Sequence, residues 1–194
     1  MALRKIRLFG DPVLEKTAKP IRTVSPRMRI LAADMLETMY KENGVGLAAP
    51  QVGILRRMFV VDVDRENSYV FINPEILETS GSQTGEEGCL SLPGKCGKVT
   101  RPNYVKVRAT DIRGKQFEME AEGLLARAIL HENDHLNGVL YTSHVEGPVL
   151  NVEDFVDDEP EESAGEDTSA GGKKPDGAGA EAKPENVSGA EAKQ

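Results

Sequence analysis

Apolar residues recur three and four positions apart through Met28, Leu31, Met35 and Met39, the spacing of one helix face. Ser25-Pro26 ahead of them supplies an N-cap and a first-turn proline, and Asn43-Gly44 behind them a stop. Residues 57–63 and 69–73 are short apolar runs that read as strands. The period then changes to two: Val105, Val107 and Ala109 point one way, as do Phe117, Met119 and Ala121. Asp111-Ile112-Arg113-Gly114 between them makes 104–110 and 115–121 a hairpin. A second helix is expected over about 123–137, with Leu124, Leu125, Ala128 and Ile129 as its apolar stripe and Gly138 as its stop. No internal repeat interrupts this order. Helix, several antiparallel strands and helix predict an α+β fold.

Charge divides the chain unevenly. Residues 151–194 carry 13 Asp and Glu against 4 Lys and Arg, so the net −8 of all 194 residues belongs almost wholly to this end. The stretch is rich in Gly, Ala, Pro and Glu and poor in large apolar side chains, so it cannot offset the entropy of ordering. The expected organisation is a domain over 1–150 and an acidic tail over 151–194, disordered from 157. A nearly neutral body lacks the basic field that direct nucleic-acid binding or recruitment to an anionic membrane needs. No apolar run approaches the ~20 residues of a membrane helix, and no apolar segment follows the basic start to make a secretory signal. Two cysteines build no disulfide scaffold. A cytoplasmic monomer is expected.

The second helix carries His131-Glu132-Asn133-Asp134-His135. Residues four apart stack on one helix face, so both imidazoles reach a single metal ion while Glu132 sits close enough to exchange a proton with water. Two of the three histidines of the chain fall here. A catalytic site of this kind wants a third protein ligand and one open position. The endopeptidase pattern would place a histidine where Tyr141 stands, and His144 lies beyond the helix stop. Cys96 falls in Gly94-Lys95-Cys96-Gly97, read as a flexible loop. Cys89 lies in Glu86-Glu87-Gly88-Cys89-Leu90-Ser91-Leu92-Pro93-Gly94, where Gly88 permits close approach and Pro93-Gly94 turns the chain away. A thiolate there suits zinc or iron(II). Gly44-Val45-Gly46-Leu47-Ala48-Ala49-Pro50-Gln51 adds small residues and one amide side chain able to donate to a developing oxyanion. Two other readings share parts of this pattern: a zinc endopeptidase, and a binding protein whose closed structural metal site would recruit Cys96.

Together and in this order, Gly44–Gln51, Glu87-Gly88-Cys89-Leu90-Ser91 and His131–Leu136 closely resemble the peptide deformylases, over residues 3 to about 147 and including Gly10-Asp11-Pro12-Val13-Leu14. The resemblance implies antiparallel sheets packed around a central helix bearing the His-Glu-x-x-His motif. It implies hydrolysis of the formyl group from the N-terminal N-formylmethionine of nascent proteins, with iron(II) on Cys89, His131 and His135 and water as fourth ligand. Zinc, nickel or cobalt are acceptable substitutes. Glu132 would take the proton of that water and pass it to the departing amine, while the Gln51 amide and Leu90 N–H receive the oxyanion. An extended peptide would add as a strand between Val45-Gly46 and Glu87-Gly88, its methionine near Val45, Leu124, Ala128 and His131. Arg127 would either rim that pocket with its stem or stand on the surface. Arg101 is expected to pair with Glu87, and Asp134 to serve as an outer partner of the ligands. Asn133 occupies a position often apolar in the family. The acidic end replaces the basic C-terminal helix with which many members dock on the ribosome, so only transient ribosome proximity is expected.

Overall fold

The computed structural model describes residues 2–155; the tail expected from 157 onward lies outside them. Helix α1 spans Pro26–Lys41 and begins with the expected proline, Ser25 preceding it in extended conformation. Strands β1 (Gly46–Ala48), β2 (Met58–Val61) and β3 (Tyr69–Ser80) follow, then β4 (Gln83–Cys89) and β5 (Leu92–Arg101). The expected hairpin is β6 (Tyr104–Thr110) and β7 (Gln116–Glu122), leading into α2 (Gly123–Leu136) and a short β8 (Leu150–Asn151). All strand pairs within the two sheets are antiparallel, in the orders β1-β2-β3-β6-β7 and β4-β5-β8.

The five-stranded sheet is covered on both faces. Leu47, Met58, Val60 and Ile72 meet Leu31, Met35 and Met39 of α1. Ala48, Phe59, Val61 and Phe71 face Ala126, Ile129 and Leu136 of α2. This explains why β2 reads as four consecutive apolar residues, all buried, rather than an alternation. In α2 the buried stripe includes Ala126, whereas Leu124 is 55% exposed, correcting the expected stripe at its first turn.

Helix α2 ends in a Schellman turn: the Val139 N–H donates to the Asp134 carbonyl and the Gly138 N–H to that of His135. A side chain at Gly138, with its φ of +76°, would meet the Glu15 carbonyl carbon at 2.7 Å. The N-terminal segment is tied down by Asp34 of α1, which accepts from the Ala2 N–H and from the Arg4 guanidinium.

Strand β3 continues past the expected 73 to Ser80, and Cys96 lies within β5, buried and opposite Gly88, not in a flexible loop. Strands β4 and β5 carry no hydrophobic alternation; much of what fixes them is charged and lies beneath the site. The packed chain continues through β8 and a 3-10 turn, Val152–Phe155, five residues beyond the boundary at 150. No helix among the described residues is long and apolar enough to cross a membrane.

Candidate active site

Helix α2 points His131, Glu132 and His135 toward the last residue of β4. One ligand atom from each of Cys89, His131 and His135 falls within 4.8 Å of the others, and this is the one such group among the described residues. Cys89 Sγ and His135 Nε2 are 3.2 Å apart. His144 lies outside the cluster, against Asp134 at 3.2 Å. Gln51 enters from the 3-10 turn Ala49–Val52: its Oε1 accepts the Ala48 N–H at 2.8 Å. Its Nε2 is thereby held 3.1 Å from Ser91 Oγ and 3.4 Å from Cys89 Sγ. Leu90 and Ser91 form the two-residue turn joining β4 to β5.

Below the cluster lies a charge network. The Glu87 carboxylate accepts from Arg101 Nε at 2.6 Å and Arg101 Nη2 at 3.0 Å, and from Arg127 Nη1 at 2.8 Å. Its Oε2 also sits 3.0 Å from His131 Nδ1. The second histidine nitrogen is thus fixed by a carboxylate, which turns Nε2 toward the cluster. Arg101 also donates to Asp134 at 2.8 Å, so Asp134 braces the network through arginine. The expected Arg101–Glu87 pair is present. Arg127 is not a surface residue: only 7% exposed, it borders the cavity and donates to Glu87 and to the carbonyls of Val99 and Gln83. Glu87 likewise turns its carboxylate inward, onto Arg101, Arg127 and His131.

Burial alone would raise the Glu87 pKa, but the hydrogen bonds from His131 and Arg101 outweigh it and hold it at about 2. Burial lowers the pKa of His131, yet Cys89 and Glu87 lift it to about 10: these surroundings favour positive charge at this spot. His135 is pushed well below its usual value by burial and by its cationic neighbours, so its ring is a neutral donor of an electron pair. Burial raises the Glu132 carboxyl to about 7, against the lowering pull of His131 and Arg101. Three buried atoms here, Glu132 Oε2, His135 Nδ1 and the Tyr141 hydroxyl, have no hydrogen-bond partner among the described residues. A soft sulfur, two imidazoles and a nearby unpaired carboxylate oxygen fit a single divalent transition metal.

The cluster opens into a cavity of about 460 Å³. Val45, Gly46, Gln51, Glu87, Gly88, Cys89, Leu90, Leu124, Arg127, Ala128, His131 and Glu132 all line it, which brings together every expected site residue except His135, buried just behind. β1 and β4 are each outer strands of their sheets, and both border the cavity. Val45 pairs toward β2, its carbonyl accepting the Asp62 N–H at 2.9 Å. The alternation of an antiparallel ladder then turns the amide and carbonyl of Gly46 outward.

Sequence reasoning passed over Ser91, which fixes Gln51, and Tyr141, whose ring stacks on His131 with centroids 5.9 Å apart. Tyr141 stands where the endopeptidase pattern wants a histidine, and an aromatic residue three positions after the helix stop is the signal the sequence offers. Lys95 and Val152 at the cavity wall had no signal in the sequence.

Convergent sulfur and imidazole donors beside a buried carboxylate, at the base of a cleft between two strand edges, define a metal-dependent hydrolase. The polypeptide deformylase family model matches residues 3–149. A peptide deformylase of Lachnoclostridium phytofermentans is 58% identical over 163 residues, covering 83% of this chain and all of that protein. One from Clostridium botulinum is 62% identical over 141 residues, covering 73% and 95%. The crystal structure of peptide deformylase from Thermotoga maritima superposes with a TM-score of 0.74 at 45% identity, covering 76% of this chain and all of that one. The chain belongs to the polypeptide deformylase family, hydrolases that remove the formyl group from the N-formylmethionine of nascent proteins.

Proposed function

We propose that Cys89, His131 and His135 hold one divalent ion, iron(II) as the family resemblance implies, and that Glu132, Gln51 and Leu90 carry out deformylation around it. The convergence of those three donor atoms within 4.8 Å carries the reading. Zinc, nickel or cobalt would fit the same ligands. When bound, the ion supplies Lewis acidity that makes water a competent nucleophile near neutral pH. Glu132 accepts a proton from the attacking water and delivers it to the methionine nitrogen as the C–N bond breaks, leaving formate and a free amine. Burial pushes the Glu132 carboxyl up from its ordinary range, the direction that suits a group that must take and return a proton. Gln51 Nε2 gives up its long contact with Cys89 Sγ and, with the Leu90 N–H, donates to the oxyanion. One such donor is worth roughly 10²–10³ in rate.

The substrate backbone extends between the outward-facing groups of Gly46 and the Glu87-Gly88 segment, as a strand that ignores most side chains. Methionine enters between Val45, Leu124, Ala128 and the His131 ring, with the Arg127 stem behind. The catalytic domain is taken as the expected 1–150 extended to residue 155, with the acidic tail following it, in a monomer that meets nascent chains in the cytoplasm, transiently near the ribosome. Glu132→Ala should retain metal yet lose at least ~100-fold in formate release from formyl-Met-Ala-Ser. Turnover within threefold of the parent would refute the role of Glu132.

A further inference from the structure

Just past residue 149, where the family match ends, a third strand lies beside the site. β8 pairs with β5 at Cys96↔Leu150 and Lys95↔Asn151, and Lys95 Nζ donates to Asn151 Oδ1. The stretch of β5 so gripped is irregular. Gly88 faces Cys96 but Cys89 faces Leu92, so Pro93, Gly94 and Lys95 bulge out opposite the metal-ligating cysteine. All three bulge residues line the cavity, and so does Val152, the first residue after β8. Val152 is 48% exposed and Leu150 37%, apolar surface left open beside a cleft that already takes a peptide.

We infer that Val152, with the Pro93–Lys95 bulge that β8 holds in place, is an apolar seat for a substrate side chain downstream of the formylmethionine. This rests on the functional reading above. In a strand added between β1 and β4, residues two apart project to the same side, so while the methionine fills the pocket near Leu124 the third residue leans on the wall of the same cavity. Backbone hydrogen bonds treat all sequences alike; an apolar wall does not. A half-exposed seat removes only part of a side chain from water, so the preference is modest, about three- to tenfold in kcat/KM for leucine over aspartate.

The test uses the full chain loaded with metal and formyl-Met-Ala-X peptides, X being Leu, Ser or Asp. The unaltered enzyme should favour Leu through KM, with kcat nearly constant. Val152→Asp should collapse the Leu-to-Asp ratio to one or below, whereas Val152→Leu should preserve it. A ratio near one in the unaltered enzyme, or one that survives Val152→Asp, overturns the inference. Loss of formate release from every peptide in the unaltered enzyme would instead overturn the functional reading. Because the readout is a ratio within each variant, partial misfolding does not imitate the result.

Discussion

Gly46→Ala tests the site at its tightest point. Gly46 lies in β1 with no positive φ, so its backbone accepts alanine without strain. The obstacle is across the groove. An added methyl carbon would stand 2.8 Å from both Cγ and Cδ of Glu132 and still closer to Oε1. Carbon atoms rest about 3.5–4.0 Å apart, so the carboxylate must retreat by roughly 0.7–1.2 Å. It is 4% exposed and packed on the helix that carries the metal ligands, and so has little room to do so. Misplacing a catalytic group by about 1 Å costs on the order of 100-fold. The crowding itself should destabilise the protein by about 1–3 kcal/mol. Expected, therefore, is a ~100-fold fall in kcat, with metal content unchanged because no ligand is touched, and a modest fall in melting temperature. Gly44→Ala is the matched control: its methyl would meet Leu90 Cδ1 at 2.7 Å, the far end of a partly buried side chain rather than a catalytic carboxylate, and should cost less than tenfold. Formate release under saturating formyl-Met-Ala-Ser, with metal analysis on the same sample, decides. A Gly46→Ala enzyme within threefold of the parent kcat would show that Glu132 is not held where the reasoning needs it.

Cys89→Ser should release metal during dialysis while Cys96→Ser keeps it, since Cys96 sits in β5 away from the cluster; the reverse pattern would overturn the ligand assignment. Gln51→Leu should lower kcat by roughly 10²–10³ with little change in KM, and an unchanged kcat would remove it from the oxyanion site. Glu87 predicts acid lability. Its folded pKa of about 2 lies below its ordinary 4.5, so the unfolded chain binds the extra proton. The stabilisation is complete above pH ~4.5 and is lost as pH falls toward 2. Urea midpoints of the metal-free protein from pH 6 to 3 should therefore drop more steeply than those of Glu87→Gln; parallel curves would refute this.

The local parts were legible because each is encoded over a few residues. Met28, Leu31, Met35 and Met39 announce α1 through a period set by helix geometry alone, and the alternation from Val105 to Ala121 announces β6 and β7 with their turn. β4 and β5 were hidden for a physical reason. Much of what holds Glu-Glu-Gly-Cys against Gly-Lys-Cys-Gly is cross-strand hydrogen bonding and the Glu87–Arg101–Arg127 charges, which leave no hydrophobic period to read. Cys96 reads as loop, and Arg127 stays undecided between pocket rim and surface, because their burial depends on that hidden sheet.

The amino-acid order by itself determined that two imidazoles and a carboxylate share a helix, since a spacing of four is a fixed angle on any α-helix. It also determined, through motif resemblance, the reaction they serve. Only the tertiary structure decided that Glu87, 44 residues from His131, orients that ring, that Cys89 sits 3.2 Å from His135 across 46 residues, and that Gly46 leaves room for Glu132. Such contacts depend on strand register and on how helix and sheet edge meet, quantities that the whole packed core sets and no short stretch of chain contains.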